Sequence, residues 1–147
     1  MEIAILALGC FWGPEIKFSK LDGVIKTEVG YCGGNSSETT YKEVCTGTTN
    51  HAEVVKLDFD PKIISYEKIL KFFFEIHDPT TLNSQGPDFG TQYRSEIFYD
   101  NENQKIVAEK VLNQINEKLS GRVVTKISKI YNYCKAEKYH QKYLEKN

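Results

Sequence analysis

Cys10 is the residue of this chain best placed to do chemistry. It follows the apolar run Ile3-Ala4-Ile5-Leu6-Ala7-Leu8 and Gly9, and it opens a segment, Phe11-Trp12-Gly13-Pro14-Glu15, that reads as the start of a helix. Backbone N–H groups and the dipole at a helix start favour a thiolate over a thiol. A free cysteine with a pKa of ~8.5 is only ~3% thiolate at neutral pH, and bringing that pKa to ~7 takes about 2 kcal/mol, near the upper end of what a helix terminus supplies. The position makes Cys10 a candidate nucleophile, set against the ordinary reading of a strand-end cysteine as a small packing group. Phe11 and Trp12 come directly after it. Two such rings either line a small apolar pocket, which suits a thioether-like methyl group, or simply fill the core.

A second group with chemical potential is Glu53, in His51-Ala52-Glu53-Val54-Val55. Strand alternation puts Glu53 on the face of Val55 and Leu57, pointing inward. A carboxyl held in apolar surroundings has its pKa raised and becomes a proton donor; a solvated strand-start glutamate does not. Raising it from ~4.3 to ~7 costs about 3.7 kcal/mol, which a dry pocket can impose. Tyr41 and Tyr93 sit in or beside two long loops, and a phenol can donate to an oxygen that is gaining charge. Asp88, in Gly86-Pro87-Asp88-Phe89-Gly90, is either a turn aspartate or a group that orients a water or a ligand amide.

The elements that must position these residues follow from periodicity. Residues 3–8 read as a strand buried on both faces. A helix runs to about Lys20, with Pro14 in its first turn, where its missing N–H is no loss. Val24 to Tyr31 is a second strand, and residues 33–50 are a long, structureless and therefore functional loop. Ala52 to Asp60 alternates as a half-buried strand. Ser65 caps a helix to His77 whose Tyr66, Ile69, Leu70, Phe73 and Ile76 share a face. A second long loop spans residues 78–92, and Ser95 to Tyr99 is a short strand. A helix capped by Asp100 or Asn101 carries the stripe Val107, Val111, Ile115 and Leu119 and stops at Gly121. Val123 to Ile130 is a last strand, and Ala136 to Lys146 a short terminal helix. Without its loops the order is β-α-β-β-α-β with additions. That predicts an α+β, ferredoxin-like (split β-α-β) two-layer sandwich, with a mixed, largely antiparallel sheet, helices on one face and long functional loops.

Length and composition narrow the remaining classes. The 147 residues fit one domain, residues 1–147. The formal net charge is -1 and no basic block stands out, which argues against a nucleic-acid partner. The early apolar run is too short to span a membrane, and no Lys or Arg precedes it as in a secretory signal. A cytoplasmic protein is expected. The four cysteines, Cys10, Cys32, Cys45 and Cys134, form no C-x-x-C pair, so free thiols are expected and no metal.

Taken together, the residues resemble the A-type peptide methionine sulfoxide reductases. Gly9-Cys10-Phe11-Trp12-Gly13-x-Glu15 is similar to the family's nucleophile motif. Matching segments follow in order: Gly30-Tyr31-Cys32-Gly33-Gly34, Tyr41-x-Glu43-Val44-Cys45-x-Gly47, His51-Ala52-Glu53-Val54 and His77-Asp78-Pro79. Then come Asp88-x-Gly90-Thr91-Gln92-Tyr93-Arg94-Ser95 and Ala136-Glu137-x-x-His140-Gln141-x-Tyr143-Leu144, so the likeness spans essentially the whole chain. The resemblance implies an enzyme that repairs oxidative damage by reducing methionine-S-sulfoxide, free or within proteins. Cys10 would attack the sulfoxide sulfur and Glu53 would protonate the oxygen with help from Tyr41 and Tyr93. Phe11 and Trp12 would hold the S-methyl group, Asp88 would assist binding, and Cys10 would be left as a sulfenic acid.

Regeneration is where the sequence departs from many relatives, which carry resolving cysteines in a glycine-rich C-terminal tail. None follows Leu144 here. The expected cycle uses Cys10 alone, with no tightly bound cofactor and an external thiol as reductant: thioredoxin, glutaredoxin or glutathione, or dithiothreitol. Oxidised proteins or free methionine sulfoxide, together with a thiol reductant protein, are the expected partners of a monomer. Three rival readings remain: a cysteine hydrolase using Cys10, His51 and Asp88, a binding module without chemistry, and a metal site from Cys32, Cys45 and His51, which lacks a fourth ligand.

Overall fold

The computed structural model describes residues 1–146. Strand β1 (Glu2–Leu8) leads to helix α1 (Trp12–Ser19), strand β2 (Val24–Cys32), helix α2 (Tyr41–Cys45), strand β3 (Ala52–Phe59) and helix α3 (Tyr66–Glu75). A two-residue hairpin, β4 (Ser84–Gln85) with β5 (Asp88–Phe89), precedes a 3₁₀ turn over Thr91–Tyr93, strand β6 (Ser95–Tyr99) and helix α4 (Glu102–Lys118). Strands β7 (Lys126–Lys129) and β8 (Cys134–Lys135), a 3₁₀ turn over Lys138–His140 and helix α5 (Tyr143–Lys146) complete the described chain.

The main sheet has the order β7-β6-β1-β3-β2-β8. Its four middle strands pair antiparallel, with β3 inserted between β1 and β2, which is the split β-α-β arrangement. Strand β7 adds parallel to β6 after the α4 crossover, and β8 adds antiparallel to β2, making the sheet mixed. The fold is the α+β sandwich that the element order predicts.

After Glu2, strand β1 is apolar from Ile3 to Leu8 because it is central and covered on both sides. Ala4, Leu6 and Leu8 face the helix layer, where they join Val55, Leu57 and Phe59 of β3, Phe18 of α1, Ile69, Leu70 and Phe73 of α3, and Ala108 and Val111 of α4. Ile5 and Ala7 face the other way, onto Cys32, Ala52, Val54 and Phe98, under Ile130 and Tyr133 of the segment before β8. The helices therefore occupy one face, and the chain just before β8 closes the other.

Local signals set the helix starts. The Ser65 side chain accepts from the Lys68 N–H at α3, and Asn101, not Asp100, accepts from Gln104 at α4. On α4 Val111 is fully buried with Ala108 and Gln104, while Val107 and Ile115 lie partly buried at the edge of the core. The Gln104 side chain reaches the Ile3 carbonyl at 2.8 Å.

Three expectations need correction. The loop after β2 is not structureless: it holds α2, capped by Thr40, whose hydroxyl accepts from the Glu43 N–H. The last long strand shrinks to Lys126–Lys129, because the Val123 and Val124 N–H groups are taken by the Asn116 side chain and the Pro79 carbonyl. Residues 136–146 do not form one helix. The Gln141 side chain binds both the N–H and the C=O of Val29 at 2.9 Å, as a neighbouring strand would, and Lys142 turns with φ 53°. These contacts lay the segment across the sheet edge as a strap.

Candidate active site

The end of the sheet where β1 and β2 finish and β3 and β6 begin gathers the candidate residues. Leu8 lies opposite Ser95, and Tyr31 lies opposite Glu53. Gly9 turns the chain out of β1 with φ 99°, and a Cβ there would meet the Gln85 side chain at 2.8 Å, so only glycine lets the β4–β5 hairpin close on this turn. Cys10 follows, half-buried, and Phe11 caps α1.

The Phe11 N–H donates to Glu53 Oε1 at 3.2 Å, which fixes the carboxyl beside the cysteine. Glu53 is 1% exposed and faces the helix side, as the alternation of β3 requires. Its burial raises its pKa to about 7, against the opposing hydrogen bonds from Phe11 and from Gln92 Nε2, the latter 3.5 Å from Oε2. Burial also pushes the Cys10 thiol up to about 11, with the Trp12 backbone N–H pulling the other way and the Glu53 and Asp88 carboxyls adding to the rise. The helix start alone predicts a thiolate; the structure corrects this, because desolvation outweighs one N–H. The resting site therefore holds a protonated thiol beside an acid that is half ionised near neutrality.

Tyr41 begins α2 and Tyr93 ends the 3₁₀ turn before β6, both half-buried. Burial raises both phenols, Tyr93 to about 12 and Tyr41 further, with the Cys45 thiol contributing at Tyr41. Both stay protonated, as hydrogen-bond donors, at neutral pH. Asp88, half-buried on β5, is close enough to act on the charges of Cys10, Glu53 and Tyr93.

The two rings after Cys10 part company. Phe11 is 1% exposed and packs on Tyr31 and His140, at centroid distances of 5.8 and 5.3 Å. Trp12 is only partly buried; its indole stacks on Tyr143 at 3.9 Å and donates to His140 Nδ1 at 3.1 Å. Because His140 accepts at Nδ1 it is neutral, and its own burial lowers its pKa.

The strap supplies residues to which reasoning from single residue types gives no role. Glu137 accepts from the Tyr31 hydroxyl and from the Tyr41 N–H, each at 2.8 Å, and Lys142 N–H donates to buried Glu15 at 2.7 Å. Gln92, 5% exposed, approaches both Glu53 and Cys45. The motif segments around Gln92, Glu137 and His140 were the only sequence signal for them.

The rival sets do not assemble. His51 Nε2 bonds the Ser36 carbonyl at 2.7 Å and its ring lies so close to Gly34 that a Cβ there would be 2.1 Å from Nδ1. The imidazole thus holds the first loop, and no hydrogen bond joins it to Cys10 among the described residues. Cys32 is buried with its thiol on the Tyr131 carbonyl, whereas Cys45 is exposed near Gln92, and among the described residues these two and His51 do not gather into a group that could hold a metal ion.

Comparison with known proteins agrees with the geometry. The family model described as peptide methionine sulfoxide reductase matches residues 2–147. The chain belongs to this family. It is 80% identical over 146 residues to a peptide methionine sulfoxide reductase MsrA of Pelagibacter ubique, covering 99% of each chain. Its fold is similar to that of Mxr1 from Saccharomyces cerevisiae in reduced form, with a TM-score of 0.95 and 42% identity over 99% of this chain and 85% of the other. It is also similar to Mxr1 in a complex with Trx2, with a TM-score of 0.69 and 27% identity over 97% of this chain and 84% of the other. A peptide methionine sulfoxide reductase is an oxidoreductase that returns methionine sulfoxide to methionine. No helix among the described residues is long and apolar enough to cross a membrane.

Proposed function

We propose that Cys10 is the nucleophile of this reductase and Glu53 its proton donor, acting on methionine-S-sulfoxide, free or in proteins. The observation that carries this reading is the Phe11 N–H bond to Glu53, which sets a buried acid with a pKa of about 7 next to the thiol. The Cys10 sulfur attacks the sulfoxide sulfur while Glu53 protonates the sulfoxide oxygen, and Tyr41 and Tyr93 donate to that oxygen as it gains charge. The substrate S–O bond breaks and the oxygen ends on Cys10. The thiol is oxidised by two electrons to a sulfenic acid, and the sulfoxide is reduced to methionine. The Glu53 proton ends on the oxygen as the O–H of the sulfenic acid, and the Cys10 proton passes to Glu53 and restores the acid, so no net proton is taken up and a protonated thiol can react.

Phe11 and Trp12 take the S-methyl group, with Phe11 as buried floor and Trp12 as half-exposed wall, and Asp88 holds the rest of the substrate. Methyl, oxygen and attacking sulfur then lie in three fixed directions about the substrate sulfur, so a single epimer fits. An external thiol returns Cys10 to its reduced form, and thioredoxin is the protein reductant that the Mxr1–Trx2 complex favours. Residues 1–147 act as a single domain and a single copy, since every proposed group comes from one chain. The free cysteines suit a reducing compartment, the cytoplasm.

Turnover of methionine sulfoxide with dithiothreitol tests the assignment. Cys10→Ser abolishes it, and Glu53→Gln slows it by ~10²-fold or more, the usual worth of a positioned acid. A Glu53→Gln protein of full rate would remove the acid role.

A further inference from the structure

Tyr41 is the first residue of a five-residue helix in the 19-residue span 33–51 between β2 and β3, and something outside that span must hold its phenol against the site. The structure assigns this task to Glu137: we infer that it is a positioning residue for the reduction, fixing Tyr41 and the ring stack under Phe11 without touching substrate. The inference rests on the reading of Tyr41 as a donor to the sulfoxide oxygen.

The geometry is a bridge with two arms. Glu137 Oε2 accepts the Tyr41 backbone N–H at 2.8 Å, and Oε1 accepts the Tyr31 hydroxyl at 2.8 Å. Tyr31 is fully buried on β2, directly opposite Glu53, and its ring packs on Phe11. One carboxylate thereby ties the oxygen side of the site to the methyl side. Its own footing is firm: the Ala136 N–H bonds the Val29 carbonyl at 3.0 Å, and Gln141 clamps Val29 from the other end of the turn. The turn that Glu137 opens also carries His140, which receives the Trp12 indole N–H and packs on the Tyr41 ring at 4.5 Å.

A carboxylate suits the bridge because both partners are donors. Glutamine keeps one acceptor oxygen: turned to Tyr31 it sets its NH₂ against the Tyr41 N–H, and turned to the Tyr41 N–H it makes the Tyr31 hydroxyl switch from donor to acceptor, so neither orientation keeps both charge-assisted bonds. The buried tyrosine keeps a partner either way, while the charge-assisted tether of α2 is weakened or lost.

The test is a cycle of Glu137→Gln and Tyr41→Phe, read as the single-turnover rate of methionine formation at saturating substrate. Tyr41→Phe alone is expected to slow this step by about tenfold or more, and Glu137→Gln alone by about tenfold. Combined, they are expected to be no slower than Tyr41→Phe by more than about twofold, because the bridge acts through the phenol. Equal slowing by Glu137→Gln in both backgrounds would overturn the Glu137 role and leave the Tyr41 reading standing. So would an unchanged rate in Glu137→Gln accompanied only by a lower melting temperature. A fully active Tyr41→Phe protein would overturn the donor reading and the Glu137 role with it. If Glu137→Gln does not fold, Glu137→Asp, which keeps the charge but shortens the reach, enters the same cycle with the same criteria.

Discussion

Phe11 donates its backbone N–H to Glu53 across 3.2 Å, so the residue that follows the thiol also holds the acid. This bond links the start of α1 to the start of β3, and it explains how two groups 43 positions apart in the chain are kept at one end of the sheet. On the proposed mechanism, the protonation of each governs what the site does at a given pH.

The first consequence is a pH profile. Glu53, held near 7 by burial, must carry its proton to donate it, so kcat/KM should be flat below about pH 7 and fall about tenfold per pH step above it. In this account Cys10, held near 11, attacks as the thiol and gives up its proton during attack; attack by its small thiolate fraction would instead add a rise of about tenfold per pH step and level the profile between pH 7 and 9. A profile recorded with wild type and with Glu53→Gln should show this alkaline fall only in the former. A rate that climbs through pH 7–9 would mean that thiolate formation, not the acid, controls attack.

The same raised carboxyl costs stability when it ionises. Its folded pKa of about 7 lies above the ordinary value of 4.5, so its contribution is fully present below pH 4.5 and is lost as pH rises through about 7. At ~1.4 kcal/mol for each pH step between those values the loss is about 3 kcal/mol, undiminished by solvent because the side chain is almost wholly buried. Urea unfolding of wild type and Glu53→Gln at pH 4.5 and pH 8 measures it. The variant should gain on wild type by about that amount at the higher pH, and parallel behaviour would contradict the assigned ionisation.

Trp12 should act through shape. Its indole is fixed by Tyr143 on one face and by His140 at the N–H, and on the proposed reading the indole is a wall for the methyl group. Relative rates on methionine sulfoxide and its S-ethyl analogue read that wall directly. Wild type should prefer the methyl substrate, and Trp12→Ala should reduce the preference by about fourfold, the worth of one buried methylene. An unchanged ratio would place the methyl group elsewhere.

The other cysteines should be dispensable with a small reductant. Cys32 bonds Tyr131 on the far face of the sheet, Cys134 lies by the Thr39 carbonyl, and Cys45 is exposed on α2. With 2-mercaptoethanol as reductant, replacing Cys32, Cys45 and Cys134 together should leave steady-state turnover unchanged. A collapse of turnover with the first turnover intact would reveal an obligatory internal disulfide.

Much of this arrangement is legible in the sequence because it follows from periodicity. The uninterrupted apolar run of β1 announces a central strand, and the alternation Glu53, Val55, Leu57 turns the acid toward the helix layer. What periodicity misses is held by contacts between distant segments. Helix α2 is too short for an apolar stripe, and its one local sign is the Thr40-Tyr41-Lys42-Glu43 capping pattern. The strap over residues 136–146 has helical composition, yet Glu137, Gln141 and the Lys142 N–H are drawn to Tyr31, Val29 and Glu15, and no helix can satisfy all three. The Cys10 ionisation is misjudged from sequence for a related reason: the helix start is visible there, but the burial that overrides it comes from residues far along the chain.

The most direct test of the central assignment is a single turnover without reductant, in the protein lacking Cys32, Cys45 and Cys134. Reduced protein is mixed with methionine sulfoxide, and both methionine and the state of Cys10 are followed by mass spectrometry with a sulfenic-acid trap. Stoichiometric methionine together with a trapped adduct on Cys10, both lost in Cys10→Ser, is the predicted result. Methionine formed while Cys10 stays an unmodified thiol would contradict the account.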